Sequence, residues 1–222
     1  MSTPVPIADV HAVPPAAVTE VDFWFDPACP WTWITSRWLV EVASARDVAI
    51  TWHVFSLRFR NRDNPGYDWI RDELDRQHPA MRIIDAVRER FGNDAVGRLY
   101  TALGALIHHD RDADLERLAD AIEWADLPAD LIAAGADSTR DAAIESSTRA
   151  GWDIIGDEAG IPLIVLPGSP ATFFGPVLSP APTGQDALDL WDAFVTLGRF
   201  TGLYEIKRSR TVSPQFGARP PI

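Results

Sequence analysis

Val21–Leu57 reads VDFWFDPACPWTWITSRWLVEVASARDVAITWHVFSL, and the way this stretch is punctuated decides the fold. Val21 to Phe25 is aromatic and β-branched and stops at Asp26-Pro27, the pattern of a strand ending abruptly in a loop. From Pro30 to about Arg46 the apolar residues Ile34, Trp38 and Val42 recur at every fourth position. Proline suits the first turn of such a helix, where its missing N–H has no intrahelical partner to lose. Val48 to Leu57 returns to strand composition. Strand, helix, strand over this length predicts a parallel βαβ unit, with Cys29 where the first strand hands over to the helix.

Downstream, Pro65 to about Gly156 has no convincing strand. Ala, Leu, Arg, Asp and Glu dominate it, punctuated at His78-Pro79, Phe91-Gly92, Leu127-Pro128 and Gly135, which predicts several helices. Strand character resumes at Pro162 to Leu166, then comes a Pro167-Gly168-Ser169-Pro170 turn and Ala171 to Phe174, an expected antiparallel hairpin. A last helix is expected over about Gln185 to Arg199. This order is that of an α/β, thioredoxin-like fold with an all-helical domain inserted between its halves. The expected organisation is an arm over 1–20, rich in Pro and Ala, a first half over 21–58, a helical insertion over 59–156, and a second half with a C-terminal tail over 157–222.

At 222 residues and 46% hydrophobic the chain can bury a substantial core. A net charge of -12 argues against a nucleic-acid partner, because phosphate binding relies on clustered cations that release counterions. Lys207 is the single lysine among 20 basic residues, an arginine bias of the kind GC-rich coding sequence produces. The N-terminal segment lacks a basic and then apolar leader, and no stretch approaches the roughly 20 apolar residues of a membrane span, so a cytoplasmic protein with no membrane partner is expected. Neither GxGxxG, a phosphate loop, HExxH nor GxSxG occurs, so no tightly bound nucleotide and no zinc or serine hydrolase is expected. Asp110, Asp112 and Asp114 open like a calcium loop, but Leu115 stands where glycine is required and Ala121 where a bidentate Glu is, so no metal is expected.

Cys29 is the only cysteine, so any thiol chemistry must involve a second molecule. A thiol at the first turn of a helix faces unpaired N–H groups and the positive end of the helix dipole, which predicts a pKa below that of free cysteine. Two effects oppose this: a lone cysteine is commonly a small buried hydrophobe, and a nearby carboxylate at Asp22 or Asp26 would raise the thiol pKa. Cys29-Pro30-Trp31-Thr32 occupies the place of a C-x-x-C redox motif, with Thr32 where the second cysteine would stand. A mixed disulfide on Cys29 then cannot leave by internal attack, and an external thiol must resolve it. The Thr32 hydroxyl, one turn from the sulfur, either donates to the thiolate or merely fills the helix. Ile161-Pro162 opens a strand after Gly160, and both proline isomers remain open there. Of Trp24, Trp31, Trp33 and Trp38, Trp31 is the candidate wall for a flat substrate, whereas core packing is expected for Trp24 and Trp38. His108-His109-Asp110 offers acid, base or ligand groups, or plain surface residues, since adjacent histidines on a helix point apart.

Seven stretches are specific beyond this pattern: DFWFDPACPWTWITSRWLVEV (22–42), HVFSL (53–57), IHHD (107–110), GIPLIVL (160–166), FFGPVLSP (173–180), LWDAFVTL (190–197) and YEIKRSRTVSPQF (204–216). In these the chain resembles the actinobacterial, DsbA-like mycothiol-dependent nitroreductases, from about Val21 to Phe216. The resemblance implies a nucleophile at Cys29, a cis-proline at Pro162 and mycothiol as the thiol cosubstrate. The expected substrates are mixed disulfides or electrophilic small molecules, nitroaromatics among them. The resemblance also implies a substrate pocket lined by Trp31, Asn61 and His108, with Tyr67 a weaker match because the loop spacing differs; Pro30 and Ile161 complete the expected substrate-binding set. Thr32 departs from the family pattern, in which a second cysteine resolves the first. Two alternatives stand beside this reading: a glutathione-transferase-kappa or isomerase-like enzyme, whose helix end activates the thiol of a bound cosubstrate, and a non-catalytic thioredoxin-fold binding module.

Overall fold

The computed structural model describes residues 20–111, 115–157, 159–168 and 172–221. The expected N-terminal arm lies outside them except for Glu20, which is part of the first strand rather than of the arm. The tip of the expected 167–170 turn, Ala171, Asp112 and Asp114 also lie outside the described residues.

The βαβ unit forms as its sequence pattern requires. β1 (Glu20–Phe25) pairs in parallel with β2 (Ala49–Val54), in register from Glu20 opposite Ala49 to Phe25 opposite Val54. Between them α1 (Pro30–Arg46) starts on its proline and ends at Asp47, which adopts a left-handed conformation and donates its N–H back to Ala43. Ile34, Trp38 and Val42 are buried as their spacing predicts, and Trp33 and Leu39 join them. Each such side chain contributes about 2–3 kcal/mol of hydrophobic stabilisation. β3 (Leu163–Val165) lies antiparallel to β1 and β4 (Thr172–Phe174) antiparallel to β3, giving the order β2-β1-β3-β4. α6 (Gly184–Leu197) packs on α1, where the Trp38 indole donates to the Ala187 carbonyl at 2.9 Å and meets the rings of Trp191 and Phe194.

β2 stops at Val54, short of the expected Leu57. Ser56 caps a short helix, α2 (Leu57–Arg60), its Oγ accepting from the Phe59 N–H at 3.3 Å. The Leu57 N–H is drawn to the Asp26 carboxylate at 2.8 Å. A partner distant in sequence thus ends the strand that local composition would have continued.

Between β2 and β3 the regular elements among the described residues are all helical: α3 (Arg71–Gly104), α4 (Leu115–Trp124) and α5 (Asp141–Ile155), with 3-10 turns at Pro65–Ile70, Ala129–Ala136 and Ser138–Arg140. Pro79 does not break α3, contrary to its reading as punctuation. The flanking Gln77, His78, Ala80 and Met81 are all buried, and their packing outweighs one missing backbone bond. Gly92 does interrupt the helix, with φ 79°, a conformation open to glycine and costly to other residues. Asp141 at the start of α5 accepts two bonds from Arg82, at 2.7 and 2.8 Å, and one from buried His78 at 2.9 Å. These partners hold its carboxyl at about 2 and tie α5 to α3. Among the described residues no helix is long and apolar enough to cross a membrane.

The C-terminal end of α3 packs against the start of α1, where Trp33 meets Tyr100 and Arg37 donates to Thr101. A Cβ at Gly104 would overlap the Trp33 ring, which is wholly buried. Gly104→Ala is therefore expected to destabilise the protein by about 2–3 kcal/mol through overpacking, read as a lowered midpoint in urea; an unchanged midpoint would mean that Trp33 has room to move.

Candidate active site

Cys29 is the N-cap residue of α1. Its carbonyl accepts the Trp33 N–H at 3.1 Å and its own N–H donates to the Asp26 carbonyl at 3.0 Å. The thiol is only 6% exposed and sits in a small apolar cluster with Trp24, Phe55, Ile161 and Leu163, against which Trp31, Leu57 and Trp152 pack. Ile161-Pro162 is cis, and Pro162 is buried beside Ile161.

Burial pushes the Cys29 thiol above its ordinary value, and this corrects the expectation of a depressed pKa. The Thr32 hydroxyl and the N–H groups of Thr32 and Trp31 do pull it down, as the helix-end argument requires. Desolvation is the larger effect, and the negative charge of Asp26 adds to it. Thr32 is completely buried, and its hydroxyl makes no other hydrogen bond among the described residues. Asp22, the other acidic candidate, is turned away and meets His53 Nε2 at 2.7 Å.

Asp26 is 4% exposed and bonded through both oxygens, accepting from Ala28 N–H at 2.9 Å and Leu57 N–H at 2.8 Å. It thereby clamps the loop before Cys29 to the start of α2. Burial raises its carboxyl to about 6, against the downward pull of these two N–H groups. Since the folded value exceeds the unfolded one, the associated stability is fully present below the ordinary carboxyl range. It is lost, to the extent of about 3 kcal/mol, as pH rises through 6. Asp26→Asn is expected to shift the pH dependence of Cys29 alkylation by iodoacetamide toward lower pH; a midpoint that stays in place would show that Asp26 does not act on the sulfur.

The expected substrate residues fall into separate places. Pro30 and Trp31 are half-buried at the helix start, and Trp31 and Ile161 belong to the Cys29 cluster. Asn61 and Tyr67 line a cavity of about 280 Å³ with Arg58, Arg71 and Leu74, and Cys29 is not part of that lining. The Asn61 amide is engaged with the Leu57 carbonyl at 2.9 Å. His108 is 7% exposed and donates Nε2–H to the Pro27 carbonyl at 2.9 Å. Burial holds it neutral, with a pKa near 4. It braces the loop before the cysteine.

Sequence reading named His108, His109 and Asp110 without their contacts, and it missed the tail residues that meet them. Ala105–His109 is one turn of π-helix, and it lets both histidines serve the site: His108 reaches Pro27 while His109 Nε2 accepts from the Trp33 indole at 3.3 Å. The tail from Leu203 to Pro221 has no regular structure, yet it crosses this face of the molecule. Arg210 lies 4.9 Å from the Trp31 ring centre, Phe216 packs on both histidines, and Arg219 forms a bidentate pair with Asp110. The stretch YEIKRSRTVSPQF marks Arg210 and Phe216 without indicating where they fold, and Arg219 lies beyond it.

Known proteins match this arrangement. The Rv2466c-like family, described as mycothiol-dependent nitroreductase Rv2466c, matches residues 28–208. The chain belongs to this family. A relative from Mycobacterium tuberculosis, the uncharacterized protein Rv2286c, is 30% identical over 203 residues, 87% of this chain and 84% of that protein. The probable DsbA oxidoreductase SCO1869 of Streptomyces coelicolor superposes with a TM-score of 0.57 at 17% identity, covering 86% of this chain and 94% of its own. A 2-hydroxychromene-2-carboxylate isomerase gives 0.55 at 16% identity, covering 80% and 94%. At these identities the structural likeness is one of fold, DsbA-like and thioredoxin-type with a helical insertion. Within the mycothiol-dependent nitroreductase family, the function is a thiol-dependent redox one.

Proposed function

We propose that the protein is a monothiol oxidoreductase in which Cys29 exchanges with mixed disulfides and mycothiol regenerates it. The observation that carries this reading is the placement of the single thiol at the N-cap of α1, with the Trp31 and Thr32 N–H groups and the Thr32 hydroxyl acting to stabilise its anion. In the first step the Cys29 thiolate attacks the mycothiol sulfur of a mixed disulfide and expels the substrate as a thiol, its proton coming from the Cys29 thiol. In the second, mycothiol attacks the Cys29–mycothiol disulfide, leaving oxidised mycothiol and the free enzyme thiol. The net change is an exchange: the substrate leaves as a thiol, and one free mycothiol is joined to the mycothiol of the mixed disulfide as oxidised mycothiol. A low-molecular-weight thiol suits the donor set, because one cysteine can form one adduct and has no internal partner to release it.

Electrophilic small molecules, nitroaromatics included, fit the same nucleophile. Trp31 supplies the apolar wall, and Ile161, in the segment just before β3, packs in the same cluster as the sulfur. Incubation with oxidised mycothiol should add a single mycothiol to the intact mass, and free mycothiol should remove it. Absence of the adduct at any pH would overturn the reading.

A second reading draws support from the raised thiol pKa. A protonated, buried Cys29 suits an isomerase-like or transferase-like enzyme, whose α1 N-terminus activates the thiol of a bound cosubstrate without covalent turnover of Cys29.

A further inference from the structure

Several arginines of the neighbouring cavity and of the tail are committed. Arg58 pairs with Asp75, Arg62 with Glu145, Arg71 with Asp68 and Arg219 with Asp110, while Arg60 donates to the Asp157 carbonyl. Arg210 is different: it is exposed and has no carboxylate or carbonyl partner among the described residues, and its guanidinium lies over Trp31 at 4.9 Å. Trp31 packs on the Cys29 cluster, so a single aromatic side chain links this cation to the surroundings of the thiol. The strap that carries Arg210 is anchored beyond it. Ser179 Oγ donates to the Ser213 carbonyl and accepts from the Gln215 N–H, both at 3.0 Å, Phe216 packs on His108, and Arg219 closes on Asp110. An unspent guanidinium, held against an indole in a protein of net charge -12, is a pairing suited to a planar anion: the guanidinium takes the oxygens and the indole supplies apolar surface beside them.

We propose that Arg210 and Trp31 form an oxyanion-recognition subsite, and that the substrates drawn to Cys29 are electrophiles bearing a carboxylate or comparable planar oxyanion. This deepens the proposed function and rests on Cys29 being the nucleophile. The test compares alkylation of Cys29 by iodoacetate and by its neutral counterpart iodoacetamide, at low ionic strength and again in salt. In Arg210→Ala the iodoacetate-to-iodoacetamide rate ratio should fall about threefold, as for loss of one exposed charge interaction, and the difference should shrink in salt. Arg210→Lys should restore part of the ratio. Arg46→Ala, at the far end of α1 about 25 Å away, should leave it unchanged.

A ratio unmoved by Arg210→Ala overturns the subsite while leaving Cys29 a nucleophile. Inertness toward both reagents counts instead against the nucleophile, and the subsite is then judged by calorimetry with benzoate and with inorganic phosphate. Benzoate binding weakened by Arg210→Ala supports a planar carboxylate subsite. Phosphate binding alone, or no Arg210-dependent binding, overturns it.

Discussion

Cys29→Ser is expected to abolish thiol exchange, with a loss of at least about a thousandfold in the mycothiol-dependent rate. Serine is close to cysteine in size, and the site is an apolar cluster already closed to solvent, so the fold should survive; unchanged urea unfolding would show that it has. A hydroxyl at this position cannot form a disulfide, so the single mycothiol adduct should also vanish from the intact mass. The two readings of the site part company here. If the α1 N-terminus instead activates a bound cosubstrate thiol, the variant keeps a substantial rate, and retention of more than about a tenth of it would favour that mechanism over covalent turnover.

Thr32→Cys is expected to convert the cycle from one thiol to two. Thr32 is completely buried and its hydroxyl has no well-formed hydrogen bond, so exchanging it for a thiol of similar size removes nothing that the core depends on. The new thiol, one helical turn along α1, would attack the Cys29 mixed disulfide and expel mycothiol without an external thiol. The adduct seen with the natural sequence should then be transient, and the end product should be an internal disulfide lacking two hydrogens in the intact mass. An adduct as long-lived as that of the natural sequence would show that the geometry at position 32 does not permit resolution, and that Thr32 is more than a missing cysteine.

Both predictions depend on how the thiol is held, and here local and distant causes separate. That Cys29 ends a strand–loop segment and opens a helix is legible in a dozen residues. Asp26-Pro27 stops β1, Pro30 favours the first turn of a helix, and the four-residue apolar period then commits α1 to face the sheet. The same local logic places β3, β4 and α6 within a few residues. It overruns at β2 because the acceptor for the Leu57 N–H is Asp26, 31 positions back. It also overcounts breaks in α3, because a proline flanked by buried side chains can remain in a helix.

Motif and spacing alone thus determined the element order, the position of the single thiol at the start of α1 and the absence of an internal resolving thiol, since each depends on neighbours along the chain. Only the tertiary structure decided the state of that thiol. Phe55, Ile161 and Leu163 come from other strands and loops to exclude water from the sulfur, and their desolvation outweighs the helix end. It likewise turned His108 onto the Pro27 carbonyl and laid Arg210 over Trp31. Burial and electrostatics at a site sum over groups far apart in sequence, and folding is what brings those groups within range of one another.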